Sequence, residues 1–208
     1  MPLSKEKRNV SGVDLRFEGI TPGQMDEIKG YVGEIFSALF PGDLGLLGGD
    51  DHGRRWFGSY WTQAKVRADI MRKYLETRCN SLTFVRKMNG AKCDNCLVEN
   101  VDYGQVLPNV VVNSQGKTGV QDFTQVGAEL HVPRGLRIYL SPMYFSDKST
   151  LERRNTVFHE MSHKIINTSD DEYGWDDCLD LAKANSAAAL TCADNYGYWL
   201  SEYCEEWK

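Results

Sequence analysis

The segment His159-Glu160-Met161-Ser162-His163 limits what this chain can fold into. Along a strand, residues four apart lie about 13 Å from each other. On an α-helix they are neighbours on one face. A helix therefore brings the two imidazoles within reach of one metal ion. Glu160, one residue on from His159, then sits beside that ion and suits a general base acting on a polarised water. Zn²⁺ brings the pKa of such a water to about 7, within reach of an ordinary carboxylate. A zinc that does chemistry also needs a third protein ligand and an open position. The candidates just downstream are Asp170, Asp171 and Glu172, followed by Tyr173-Gly174.

The flanking sequence supports a helix. Ser149 or Thr150 caps its start, and Glu152, three residues after Ser149, completes a capping box. Leu151, Val157, Phe158, Met161 and Ile165 form its apolar stripe. A mostly buried helix suits metal ligands, because their rotamers need a fixed surround. Upstream, Leu136–Leu140 alternates as a strand. Pro142 cannot donate to a ladder, which predicts an edge position. Asp177–Trp207 reads as one or two helices, and the small residues Ala187–Ala189 permit close packing against the active-site helix.

The segment Asn167-Thr168-Ser169-Asp170-Asp171-Glu172-Tyr173-Gly174 resembles the G-T-x-D-x-x-Y-G motif of the aspzincins, the deuterolysin and peptidyl-Lys zinc endopeptidases. Asn167 stands where the family has Gly, and Asn also tolerates the left-handed conformation of a helix C-cap. Ile138-Tyr139-Leu140-Ser141-Pro142 is similar to the family's I-Y-L-C-P strand, with Ser for Cys. Ala193-Asp194-Asn195-Tyr196 resembles its N-A-D-N-Y segment, with Cys192 in the first position. The resemblance runs from about Leu136 to Tyr203.

It implies a zincin-like α+β fold, mainly helical, with a small antiparallel or mixed sheet and an active-site cleft. It implies one Zn²⁺ per chain, held by His159, His163 and Asp170. Glu160 becomes the general base, and Tyr173 stabilises the oxyanion. Asp194 is implied to line the substrate pocket or to support the metal site. The strand before the active-site helix is implied to pair with extended substrate. Lysine-specific members have an acid three residues after that Asp, where this chain has Gly197. The expectation is a wider pocket, with at most a modest basic preference after the cut. Glu202 lies too far along the helix to substitute.

The 208 residues suggest one domain, with a helical N-terminal lobe over 1–80 and the sheet and catalytic helices over 81–208. Thr21-Pro22 opens a helix through Leu39, and Arg55–Arg78 reads as one long helix with a solvated basic face. Gly42–Gly53 lacks a phosphate-loop pattern and reads as a flexible connection, with His52 a solvated loop residue. Leu82–Lys87 reads as a strand ending in the turn Lys87–Gly90, and Asn109–Asn113 as a buried strand. Gly116–Gly127 reads as an exposed loop or hairpin, and His131 as a surface residue.

A net charge of −5 without a basic patch excludes nucleic acid as a partner, and no apolar run is long enough to span a membrane. A polypeptide substrate and a monomer are expected. Met1–Arg8 lacks the apolar core of a signal peptide. The even count of six cysteines nevertheless points to an oxidising destination, secreted or extracellular, with two or three disulfides of undetermined connectivity. Cys93-Asp-Asn-Cys96 finds no partner motif for a structural zinc site. Two rival functions remain: a zinc amidase acting on cell-wall peptides, and a non-enzymatic zinc-binding toxin or adhesion module. A structural zinc would be closed by a fourth ligand and would need no Glu160.

Overall fold

Val13, Leu15 and Phe17 are buried, while the residues between them are half-buried or exposed. This alternation makes β2 (Val13–Glu18) a strand with one face on the core. β2 pairs antiparallel with β1 (Lys5–Val10) across a turn at Ser11-Gly12, where both residues have positive φ. On its other side it runs parallel to β3 (Ser81–Arg86), where Phe17 stacks on Phe84 with centroids 5.7 Å apart. Residues 1–80 thus contribute strands as well as helices. The structure, a computed structural model, describes residues 5–39, 49–86, 97–100, 110–112, 118–120, 135–140, 142–146 and 148–206.

The main sheet has five strands in the order β1-β2-β3-β7-β4, with β7 spanning Gly135–Leu140 and β4 Leu97–Asn100. The central pairings are parallel, and β4 adds to β7 antiparallel, so the sheet is mixed. β7 therefore lies inside the sheet, with β4 covering its outer side. Pro142 opens the short helix α4 (Pro142–Ser146), the first helical position where its missing N–H costs no bond. β5 (Val110–Val112) and β6 (Thr118–Val120) form a separate two-stranded ribbon. Sequence alone placed the first of these in a core strand and the second in a loop or hairpin. Lys87–Gly90, Cys93, Cys96 and His131 lie outside the described residues.

α1 (Pro22–Leu39) buries Met25, Ile28, Val32, Ile35, Phe36 and Leu39, as its periodicity predicts. The expected long helix over 55–78 is divided. α2 (Gly49–Phe57) ends in a 3₁₀ turn at Gly58–Tyr60, and α3 runs from Trp61 to Thr77. Gly58 makes the break, with φ of +53°. A Cβ there would lie 2.0 Å from the Ser186 hydroxyl and 2.7 Å from the Ala182 carbonyl. Part of the presumed connection before it, with His52, is helical. The basic face of α3 is not merely solvated. Arg72 pairs with Asp69 and Glu76, each at 2.7 Å, while Arg67 donates to the Ile166 carbonyl.

α5 (Thr150–Ile165) begins with the capping box: Ser149 Oγ accepts from Glu152 N, and Glu152 accepts from Ser149 N. Val157, Phe158, Met161 and Ile165 are buried, and Leu151 partly so. The C-terminal segment forms α6 (Trp175–Ala184), α7 (Ser186–Ala189) and α8 (Ala193–Glu206). The helix packed along α5 is α8, with Tyr196, Trp199 and Leu200 buried, whereas the alanine-rich α7 packs on α6 and α2.

Candidate active site

Helical spacing on α5 sets His159 and His163 side by side, with Nε2 atoms 3.0 Å apart. The chain then leaves the helix through Asn167, whose φ of +52° is the left-handed turn anticipated for this position. That turn swings the Thr168–Gly174 segment back over the helix. It carries Asp170 Oδ1 to 3.1 Å from Nε2 of both histidines. The other two acids point elsewhere. Asp171 accepts from the Ser169 hydroxyl at 2.6 Å, and Glu172 is exposed.

The other nitrogen of each ring is already committed. His159 Nδ1–H donates to Asp194 Oδ1 at 2.6 Å, and His163 Nδ1–H donates to the Thr168 carbonyl at 3.0 Å. These bonds orient both rings with Nε2 toward Asp170, and the neutral rings that a metal would need carry their proton on Nδ1. Ser162 braces the turn by donating to the His159 carbonyl and meeting the Thr168 hydroxyl, each at 2.7 Å. Tetrahedral zinc with ordinary Zn–N distances separates its ligand atoms by about 3.3 Å. The observed 3.0–3.1 Å triangle, backed by a carboxylate and a carbonyl, fits such an ion. Among the described residues, this is the group of His, Cys, Asp and Glu side chains arranged to hold a metal.

The electrostatics follow from the same contacts. Burial works against a charged His159, but the hydrogen bonds to Asp170 and Asp194 overcome it and hold its pKa at about 10. The two histidines hold Asp170 far below the usual carboxylate range. Glu160 is 2% exposed, and desolvation pushes it up to about 8 against the pull of His159. Tyr173 is 46% exposed, its ring 6.3 Å from His159. Burial of its hydroxyl and the charge of Asp170 raise it to about 12, so it remains a donor.

The sequence model of the aspzincins, described as lysine-specific metallo-endopeptidase, matches residues 48–201. The chain belongs to the aspzincin family. Its fold is like that of a zinc peptidase from Grifola frondosa, with TM-score 0.54 at 15% identity over 88% of this chain and 97% of that one. A comparison with curated proteins finds no match. This aspzincin is a metallo-endopeptidase that acts on polypeptides, which sets aside the non-enzymatic binding module. No helix among the described residues is long and apolar enough to cross a membrane.

A cleft of about 220 Å³ opens beside Glu160 and Tyr173, also lined by Lys148, Glu152, Asn155 and Tyr198. Of these last four, the sequence singles out Glu152 alone, and only as a helix cap. Asn155 shares the polar face of α5 with the capping residues, and Lys148 looks like any surface lysine. Asp194 reaches the cleft but is occupied: Oδ1 accepts from His159 and Asn155, and Oδ2 from Gly174 N at 3.0 Å. Gly197 does not widen the pocket. A Cβ there would lie 1.6 Å from Asn155 Oδ1, so Asn155 fills the space. Glu202 is far from the cleft, bonded to Trp56 Nε1 at 2.6 Å and paired with Arg55.

Proposed function

We propose that this aspzincin hydrolyses internal peptide bonds with zinc held by His159, His163 and Asp170, and with Glu160 as general base. The convergence of the three donor atoms beside a buried carboxylate carries this reading. When bound, zinc supplies Lewis acidity, lowering the pKa of a coordinated water to about 7. Glu160 accepts a proton from the attacking water and passes it to the leaving amine. Its desolvated surround raises its pKa, and a cation held by the three ligands would draw it back toward the carboxylate that must accept the proton. The Tyr173 hydroxyl donates to the oxyanion, charge that develops only in the transition state. Asp194 keeps the His159 ring in the tautomer the metal requires.

The family's name carries lysine specificity, but we propose that this member lacks it. Asp194 is engaged on both oxygens, and Lys148 places a cation in the cleft. The endopeptidase family favours a protein substrate over a cell-wall amide. The even cysteine count supports export to an oxidising environment, where we expect a monomer.

The test compares wild type with Glu160→Gln. Both should hold about one zinc per chain, and kcat of the variant should fall about 10²–10⁴-fold. Chelation should abolish wild-type hydrolysis, and added zinc should restore it. Wild-type turnover by Glu160→Gln would remove the general-base assignment.

A further inference from the structure

The metal chemistry leaves two buried thiols unused. Cys178 lies in α6 and Cys192 immediately precedes α8, and both are fully buried. The two thiols hydrogen-bond to each other. Both sulfurs also lie against the Glu172 carbonyl, Cys178 at 4.0 Å and Cys192 at 3.4 Å. The backbone at each end is pinned. Cys178 N donates to the Gly174 carbonyl at 3.1 Å, and Ser169 is bridged to Cys192 by Ser169 N to Thr191 O and Ala193 N to Ser169 O. The pair thus closes over the Thr168–Gly174 segment, which brings in Asp170 and Tyr173. None of the four described cysteines, Cys79, Cys178, Cys192 and Cys204, is in a disulfide in the structure. Cys178 and Cys192 nevertheless meet at one acceptor, the Glu172 carbonyl.

We propose that Cys178 and Cys192 become joined by a disulfide that clamps the Thr168–Gly174 segment to the start of α8. The bond forms by exchange with a disulfide oxidant. The Cys192 thiolate attacks a sulfur of the oxidant, forming a mixed disulfide and releasing one thiol. The Cys178 thiolate then attacks the Cys192 sulfur and releases the second. Two thiol protons are lost from the protein, and its two electrons reduce the oxidant to thiols. Cys192 is suited to attack first. It sits at the N-terminus of α8, where a thiolate is favoured. The hydrogen bond from Cys178 lowers its thiol to about 7 against the effect of burial, and the same contact, with burial, raises Cys178. Exchange occurs late in folding, once α6 and α8 have met but before both sulfurs are sealed, and the finished bond is then shielded from reductant.

Peptide mapping tests this directly. Protein folded with oxidised glutathione is denatured without reductant, alkylated, digested and examined by mass spectrometry. The expected product is a peptide containing Cys178 linked to one containing Cys192. Alkylation of both cysteines, or pairing of either with another cysteine, overturns the proposal. The clamp itself is read from the melting temperature, for the protein as purified and after chelation, so that the result does not depend on the metal assignment. Full reduction and the C178S/C192S variant should each lower Tm by about 5–10 °C relative to oxidised wild type. The same Tm for oxidised and fully reduced wild type would refute the clamp, even if the double variant failed to fold.

Discussion

Two buried histidine–carboxylate pairs sit along α8, and they serve different ends. Near its middle, His52 Nδ1 faces Glu202 at 3.3 Å, while Nε2 donates to the Trp199 carbonyl at 3.0 Å. Both ring nitrogens are occupied by protein, and Glu202 also serves Arg55 and Trp56. At the helix start, His159 Nδ1 bonds Asp194 in the same manner, but Nε2 faces His163 and Asp170 at the cleft. Burial and a carboxylate partner are common to the two sites, so neither identifies a metal centre. What separates them is the second nitrogen: closed by backbone at His52, and converging with other donors at His159.

The sharpest way to break this comparison is to remove a converging donor. Asp170→Ala should weaken zinc affinity by more than the 10–100-fold typical of losing an outer partner. Asp171→Ala should change it less than about threefold, because Asp171 turns to Ser169 and Thr191 on the surface. Competition against a fluorescent chelator measures both. The reverse ranking would dismantle the proposed ligand set.

A smaller effect separates the two carboxylates. Asp194→Asn retains shape but can turn an amide donor toward His159 Nδ1, favouring the wrong tautomer. Zinc affinity should fall about 10–100-fold. Glu202→Gln should leave affinity within about twofold and lower stability by about 1–3 kcal/mol, since buried partners lose a charged acceptor. Chelator competition and chemical denaturation read the two quantities separately. If Glu202→Gln weakened zinc as much as Asp194→Asn, the division between a structural and a metal-supporting pair would fail.

The same division explains what the sequence reveals. His159, His163 and the capping box are legible because helical spacing and capping act within a few residues. Asp170 is brought in by the turn at Asn167, and only the motif singles it out from Asp171 and Glu172. His52 misleads, because nothing near it in sequence announces Glu202 and Trp199, about 150 residues away. The division of the 55–78 helix has a similar origin, since the residues facing Gly58 belong to α6 and α7. Strand β7 looks like an edge from Pro142 alone, because β4 lies across an unpredicted crossover. Gly197 is the clearest case. Lost side-chain volume predicts space, but Asn155 from the neighbouring helix occupies it.

That occupied space leads to the smallest effect. A lysine side chain entering the cleft would find Asp194 already accepting from His159, Asn155 and Gly174. Glu152 is likewise held by Ser149 N and Oγ at 2.8 and 2.7 Å, bonds that lower its pKa. Lys148, donating to Thr156 Oγ1 at 3.0 Å, adds a like charge. An ammonium placed there would lose water without gaining a dedicated partner. Wild type should therefore show no preference for Lys or Arg after the cut, in peptides that differ only at that residue. Lys148→Glu reverses the sign of that charge. It should raise the kcat/KM ratio of basic over neutral peptides about three- to fivefold, the scale of a half-solvated ion pair. Lys148 also acts on Glu160 through its charge, so absolute rates will move as well. That change is shared by every peptide and cancels in the ratio. Cleavage almost wholly before Lys by wild type would mean that another acid completes the pocket. An unchanged ratio in Lys148→Glu would place the substrate side chain outside this cleft.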